Sequence, residues 1–396
     1  MYNKDMFALG NEASVIREIF EYGNRRRAEI GAENVFDFSL GNPSVPAPPQ
    51  VNETIERHMR TDPSVALHGY TSGPGDNACR QAVADYLNRT YSTSFKKENV
   101  YMTCGAAASL CISFHALYEE GDEIIFFAPF FPEYRVFAEK AGYTVRALPC
   151  REEDLQIDLD ALAAALNEHT KAVVINSPNN PSGVVVREEI ITALSSLLRE
   201  KSASFGRDIF LITDEPYREL VYDGVAVPYV TKYYDNTIVC YSFSKALSLP
   251  GERIGYVLVP DEAACSKEIF KAVCGAGRSL GYVCAPSLMQ KILPECLGHF
   301  SDISIYKKNR DILLEALTSY GFECVRPDGA FYLFVRSPEK DASAFCKRAK
   351  KYELLLVPSD SFGFPSYVRI SYCVDTAMIE RSLPCFKKLA KEYDLA

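Results

Sequence analysis

The 396-residue chain is long enough for two or three domains of average size, and its 47% hydrophobic and 24% charged residues are the balance of an ordinary globular protein. With 52 acidic residues against 43 lysines and arginines the formal net charge is −9, which argues against nucleic acid as a partner, since a phosphate-backbone binder displays a basic face. Thirteen cysteines with no CxxC, and five scattered histidines, offer no metal-ligand spacing and read as reduced thiols of a cytoplasmic protein.

No apolar stretch reaches the ~18 residues that a membrane span requires. The N-terminal residues carry no segment of signal-peptide type. The first thirty residues predict a helix, with Val15, Ile16, Ile19 and Phe20 at helical spacing. A short strand over 35–40 then runs into Gly41-Asn42-Pro43. From about residue 98, short apolar runs alternate with amphipathic ones: 100–102, 123–127, 143–148, 172–175, 209–212, 237–241 and 254–259 are the strands, and 159–166 and 188–198 are among the helices between them. That alternation predicts an α/β fold, a large domain with a mostly parallel sheet flanked by helices. After about residue 285 a helical pattern over 306–320 precedes short strands near 331–334 and 367–370 and a charged terminal helix from Thr376. We expect a smaller α+β domain there (285–396), joined by the N-terminal segment (1–45), with the large domain spanning 46–284.

In such a sheet, ligands bind beyond the carboxyl ends of the strands, so the polar residues that follow each apolar run carry the information. After 100–102 comes Cys104-Gly105-Ala106-Ala107-Ala108-Ser109, which reads equally as a phosphate-binding helix N-terminus or a tight strand-to-helix turn. After 172–175 comes Asn176-Ser177-Pro178-Asn179-Asn180-Pro181-Ser182-Gly183, a rigid turn by composition. Asp214, in Asp214-Glu215-Pro216-Tyr217, is placed either to neutralise a cationic ring nitrogen or to cap a helix. Lys245 follows Ser242-Phe243-Ser244 at the end of a buried run, where desolvation favours a neutral, nucleophilic amine. Ser242, Ser244 and Arg253 are close enough in sequence to hold a dianion beside it.

Taken together, these segments resemble the fold type I pyridoxal-phosphate enzymes, specifically the class I/II, aspartate aminotransferase-like family. The order Gly41-Asn42-Pro43, Tyr70 with Gly73, Gly105-Ala106-Ala107, Asn180-Pro181-Ser182-Gly183, Asp214 to Tyr217, Ser242 to Lys245, Arg253 and Arg369 carries the resemblance over nearly the whole chain. It departs in a phosphate loop poor in hydroxyls, in a phenylalanine where some relatives stack a tryptophan, and in Ser182 where threonine is commoner.

The resemblance implies that pyridoxal 5′-phosphate is the cofactor and that Lys245 holds it covalently and later moves the substrate's proton. It implies Asp214 at the ring nitrogen, Asn180 and Tyr217 at the ring's 3-oxygen, and Phe131 stacked on the ring face, with Phe130 and Tyr134 as neighbouring candidates for that stack. The Ala106 and Ala107 amides, Ser242, Ser244 and Arg253 would hold the phosphate, joined by Tyr70 from a neighbouring subunit, so a homodimer with shared active sites is implied. Arg369 would clamp the substrate α-carboxylate, with Gly41 over it. The implied reaction moves an amino group from an L-amino acid to a 2-oxo acid by a ping-pong cycle, with glutamate and 2-oxoglutarate as a pair. Arg278, 33 residues after the lysine, reads either as a distal-carboxylate contact, as for aspartate, or as a helix-end charge; aromatic and aliphatic donors stay open. Two other readings compete: a β-C–S lyase of the same fold, and a non-catalytic ligand-sensing domain, which normally follows a DNA-binding module that this chain has no room for.

Overall fold

In a computed structural model, residues 1–11 and 15–395 are described. Thirteen strands lie along them: β1 (Phe36–Asp37), β2 (Val100–Thr103), β3 (Glu123–Ala128), β4 (Thr144–Pro149), β5 (Thr170–Asn176), β6 (Phe210–Asp214), β7 (Thr237–Ser242), β8 (Gly255–Leu258), β9 (Cys324–Val325), β10 (Tyr332–Arg336), β11 (Leu354–Leu355), β12 (Val357–Pro358) and β13 (Tyr367–Ser371). Seven of them form one sheet in the order β2-β8-β7-β6-β5-β3-β4. All run parallel except β8, which is antiparallel to both β2 and β7.

Residue alternation along the central strands explains why those runs are apolar throughout. Val173 and Ile175 pack with Leu194 and Leu198 of the helix Glu188–Phe205 on one face. Ala172 and Val174 pack with Leu110 and Phe114 of the helix Ala106–Leu117 on the other. Covered on both faces, a strand has no solvent side to make polar.

A second sheet, antiparallel, has the order β12-β13-β10-β9. Its core joins Leu333 and Ile370 to Leu313 and Leu317 of the helix Ser304–Ser319 and to Ile379 and Phe386 of the helix Thr376–Lys391. The N-terminal segment meets this part of the chain through β1, which pairs parallel with β11 in the register Phe36 to Leu354. The expected strand 35–40 therefore shrinks to two residues. Phe38 still donates its amide to the Leu355 carbonyl at 3.0 Å; beyond it the chain leaves the ladder, and Ser39 bonds back to the Asp37 carboxylate through its amide and hydroxyl. The expected N-terminal helix is found as Lys4–Asn11 and Val15–Ile30; the stretch 12–14 lies outside the described residues.

The helix Ser287–Cys296 packs its Met289, Ile292 and Leu293 on Val51, Val83 and Leu87, beside Met102 and Leu258 of the large sheet. All thirteen cysteines are free thiols. No helix among the described residues is long and apolar enough to cross a membrane.

Candidate active site

Three neighbouring parallel strands end together. The register sets Asn176 of β5 opposite Asp214 of β6, and Asp214 opposite Cys240 of β7. Beyond these ends lies a cavity of about 290 Å³, lined by Gly41, Ala106, Ala107, Phe131, Asn180, Asp214, Tyr217, Ser242, Ser244, Lys245, Arg253 and Arg369. Apart from Tyr70, which is 95% exposed and outside this lining, and the distal-carboxylate candidate Arg278, the site residues expected from the sequence are in one place. Ile16, Leu40, Leu110, Asn176, Pro216, Pro250 and Tyr332 complete the wall.

Lys245 sits in the single helical turn Phe243–Ala246 that follows β7, a turn started by Ser242, whose hydroxyl accepts from the Ser244 amide at 3.2 Å. The Lys245 Nζ donates to the carbonyl of Gly41 at 2.8 Å and lies 5.5 Å from the centre of the Phe331 ring. Burial lowers the pKa of this amine to about 8, opposed by the nearby Cys373 thiol and assisted by the charges of Arg253 and Arg369. Near neutral pH a usable fraction is uncharged, as a nucleophile needs.

Asp214 is buried, and burial raises its pKa to about 7, against the hydroxyl of Tyr134, which donates to its Oδ2. Its Oδ1 is buried with no hydrogen-bond partner. An acceptor in that condition asks for a donor, and a positive one suits a carboxylate best. The Asp214 backbone is held separately: its carbonyl accepts from Asn176 Nδ2 at 2.8 Å. One residue on, Glu215 bonds Arg218 at 2.8 Å, and Arg218 also reaches Glu219 at 3.1 Å and lies 4.3 Å from the Tyr241 ring centre. This buried ionic cluster fixes the turn that carries Tyr217 into the cavity.

On the opposite wall, β13 presents Arg369, buried between the rings of Tyr332 (4.6 Å) and Phe362 (5.1 Å). Its Nη1 donates to Asn180 Oδ1 at 3.1 Å and its Nη2 to the Ser39 carbonyl, while Nε has no partner. Tyr217 and Tyr332 share a hydroxyl–hydroxyl bond of 2.8 Å. Gly41 makes room for it: an added Cβ would fall 1.9 Å from the Tyr332 oxygen.

At the remaining end, Gly105 has a positive φ of 88° and starts the helix Ala106–Leu117, so the first amides of that helix face the cavity. An added Cβ at Gly105 would lie 2.8 Å from an Arg253 nitrogen, so only glycine lets the guanidinium this close. Arg253 Nη1 bonds Ser244 Oγ at 3.4 Å and the Pro250 carbonyl at 2.9 Å, and the Ser242 and Ser244 hydroxyls are 2.7 Å apart. Backbone amides, two hydroxyls and a guanidinium make a donor set for an oxyanion.

Residues 33–384 match the model of the aminotransferase class I and II family. The chain belongs to that family. Among solved structures this aminotransferase is similar to an amino transferase from Eubacterium rectale (57% identity, 100% of this chain and 99% of that one, TM-score 0.98). It is also similar to the aspartate aminotransferase of Thermus thermophilus solved with maleate (26% identity, 96% and 97% covered, TM-score 0.85). A curated relative, the aspartate aminotransferase of Thermotoga maritima, is 29% identical over 89% of this chain and 90% of its own length.

The cofactor of this aminotransferase is pyridoxal phosphate, and the cavity fits it on its own evidence. An orphaned carboxylate oxygen in its wall suits a protonated ring nitrogen, an amine of lowered pKa lines the same cavity, and the lining also carries donors for an oxyanion. Of the three aromatics considered for stacking, Phe131 lines the cavity. Phe130 is buried behind it, its amide bonding the Phe362 carbonyl, and Tyr134 turns to Asp214.

Tyr332, Asn176 and Tyr134 were not foreseen in these places. Tyr332 sits inside an apolar strand that reads as core, and Asn176 reads as part of a turn. Arg278, at the end of the helix Ser266–Ser279, is exposed and does not line the cavity of its own chain; to read a distal carboxylate it would have to reach the site of a neighbouring copy.

Proposed function

We propose that this aminotransferase moves the amino group of an L-amino acid to a 2-oxo acid in a ping-pong cycle, with glutamate and 2-oxoglutarate as one pair, and that two copies share their active sites. One observation carries the reading: a single cavity is lined by a lysine amine of lowered pKa, a buried carboxylate with one unpartnered oxygen, and a buried arginine with an unpartnered Nε.

When bound, pyridoxal phosphate supplies a carbonyl carbon that takes the amino group and a cationic ring that withdraws electrons from the substrate Cα. The roles of the chain's own residues follow from their chemistry. Lys245 anchors the cofactor and its Nζ, once free, takes the proton from the substrate Cα. Asp214 Oδ1 holds a proton on the ring nitrogen. Asn180 and Tyr217 donate to the ring's 3-oxygen, and Phe131 covers one ring face. Arg253, Ser242, Ser244 and the Ala106 and Ala107 amides hold the phosphate, completed by Tyr70 of a neighbouring copy. Arg369, tied to Asn180 and Ser39, clamps the α-carboxylate under Gly41. The relative solved with maleate, a dicarboxylate, supports a dicarboxylic acid as one partner. The division into a large sheet unit and a smaller unit built from both chain ends is part of the same proposal, since it sets the substrate between them.

The test is optical. The purified protein should be yellow, and its amino donor alone should bleach that band without releasing ammonia; 2-oxoglutarate should restore it. Lys245→Ala should lose essentially all turnover. Transamination by that variant at the parent rate, or release of ammonia and pyruvate with no acceptor present, sinks the reading.

A further inference from the structure

Tyr332 lies in β10 opposite Ser371 of β13, is 2% exposed, and belongs to the cavity wall. Its ring centre is 5.8 Å from that of Tyr217 at an interplanar angle of 79° and 5.0 Å from that of Phe331, and the guanidinium carbon of Arg369 is 4.6 Å away. Gly41 closes in on the hydroxyl, since a Cβ there would fall 1.9 Å from the Tyr332 oxygen. The Tyr332 and Tyr217 hydroxyls meet at 2.8 Å, and neither has another hydrogen-bond partner among the described residues. Two phenols carry two protons, and the one bond between them uses only one. The other is left for a ligand.

We propose that Tyr332 is a positioning residue of the transamination site: its hydroxyl donates to Tyr217, which leaves the single proton of Tyr217 for the cofactor's 3-oxygen, and its ring seats Arg369. One side chain then serves both the cofactor and the carboxylate clamp. The inference rests on the readings of Tyr217 and Arg369 given above and deepens them.

The charges on either side set the direction of that bond. Burial pushes the Tyr332 phenol up to about 12, opposed by the charge of Arg369 over its ring and assisted by Cys373. Burial raises Tyr217 well above the ordinary value, and Tyr332 and Asp214 add to it against Arg369. Tyr332 is thus the more acidic of the two, and the more acidic phenol of a pair is its donor. Both stay protonated near neutral pH. The other ionisable groups beside the pair are Cys373, held neutral by burial, and the Lys245 amine at the Gly41 carbonyl. A hydroxyl that accepts one bond also donates its own more strongly, because linked hydrogen bonds polarise one another. The bond from Tyr217 to the 3-oxygen competes there with the proton on the lysine-bound nitrogen, so it lowers the pH at which that nitrogen loses its proton.

The experiment titrates the visible band of the holoenzyme with pH in Tyr332→Phe, Tyr332→Leu and Tyr217→Phe, alongside steady-state kinetics and thermal unfolding. Tyr332→Phe keeps the ring beside Arg369 and removes only the hydroxyl. Its pH midpoint should rise by roughly half a pH unit, the scale of one neutral hydrogen bond, and by less than in Tyr217→Phe. Its kcat should fall roughly 2- to 10-fold, with the KM for the amino donor nearly unchanged. Tyr332→Leu should show the same rise and, without the ring, a KM raised roughly 3-fold or more. A midpoint unmoved in Tyr332→Phe but moved in Tyr217→Phe removes only the role of Tyr332. A midpoint that falls in Tyr332→Phe shows Tyr332 accepting from Tyr217 and overturns the proposal too. A KM unmoved in Tyr332→Leu overturns the seat for Arg369, and a midpoint unmoved in Tyr217→Phe removes the Tyr217 reading itself. Should Tyr332→Phe fail to fold, 3-fluorotyrosine at position 332, a stronger donor of nearly the same shape, must lower the midpoint, and an unmoved signal overturns the proposal.

Discussion

The amine of Lys245 donates to the carbonyl of Gly41 at 2.8 Å, joining positions 204 residues apart at the mouth of one cavity. Gly41 can take this place only because it lacks a side chain: a Cβ there would fall 1.9 Å from the oxygen of Tyr332, itself bonded to Tyr217 at 2.8 Å. Gly41→Ala must displace the Tyr332 ring and with it the Tyr217 hydroxyl. Overpacking a tight site costs about 1–3 kcal/mol of stability, and if the displaced hydroxyls lose the same energy in the transition state kcat/KM falls roughly 5- to 150-fold. Parent-like kinetics in Gly41→Ala would show that the two tyrosines have slack.

Burial puts the Lys245 pKa at about 8. Only the neutral amine attacks a carbonyl, so the rate at which apoprotein joins pyridoxal phosphate should rise with pH through a midpoint near that value and level off above it. Stopped-flow absorbance across pH 6 to 10 reads this directly. A rate still climbing at pH 10, as for an ordinary solvated lysine, contradicts the buried environment described for the amine.

Much of this site was legible in the sequence because β5, β6 and β7 are buried on both faces. Each contains an apolar run (172–175, 209–212 and 238–241), and the polar residues at its far end, Asn176, Asp214 and Ser242, mark the side where ligands bind. What could not be read depends on pairing between distant segments. The meeting of β1 with β11 is decided by packing rather than by local pattern, which is why a six-residue run contributes only two residues to a ladder. Tyr332 occupies a strand position that looks like core and Tyr134 reads as a candidate for the ring stack, and only the third dimension turns their hydroxyls to Tyr217 and Asp214.

The Glu215–Arg218–Glu219 cluster sets the buried Glu215 and the part-buried Glu219 against one buried guanidinium. Removing the cation leaves both acids without their partner. Arg218→Met should therefore destabilise the protein by about 3–5 kcal/mol, the cost of breaking a buried ion pair from one side, measured as a lower denaturant midpoint. The double variant Glu215→Gln/Arg218→Met should recover part of that loss, since one orphaned charge is gone. A single variant as stable as the parent would mean that water reaches the cluster.

Arg369 lies over the rings of Tyr332 and Phe362 with two nitrogens already bonded to Asn180 and Ser39. A lysine could keep the charge but not the planar stack or the paired donors. Arg369→Lys should lose about 1.5–3 kcal/mol in kcat/KM for the amino donor, roughly 10- to 100-fold, the scale of one charged hydrogen bond. Cofactor content should stay at the parent level, because no phosphate donor is touched. A variant that loses cofactor instead would place Arg369 on the wrong ligand.

Tyr70 is 95% exposed and outside the cavity of its own chain, yet the family pattern gives it a phosphate. Both statements hold if the hydroxyl serves a neighbouring copy, and a mixing experiment decides the matter. Lys245→Ala lacks the reacting amine, and Tyr70→Phe lacks the donated hydroxyl. In a heterodimer of the two, one site takes Lys245 from the Tyr70→Phe chain and Tyr70 from the Lys245→Ala chain, so it is intact, while the other site carries both defects. Random reassortment of equal amounts should then restore roughly a quarter of parental activity, since half the dimers are mixed and each has one working site of two. Tyr70→Phe alone should bind pyridoxal phosphate more weakly. Activity of the mixture no higher than the average of the two parent variants would place Tyr70 outside the shared site and leave each copy to hold its phosphate alone.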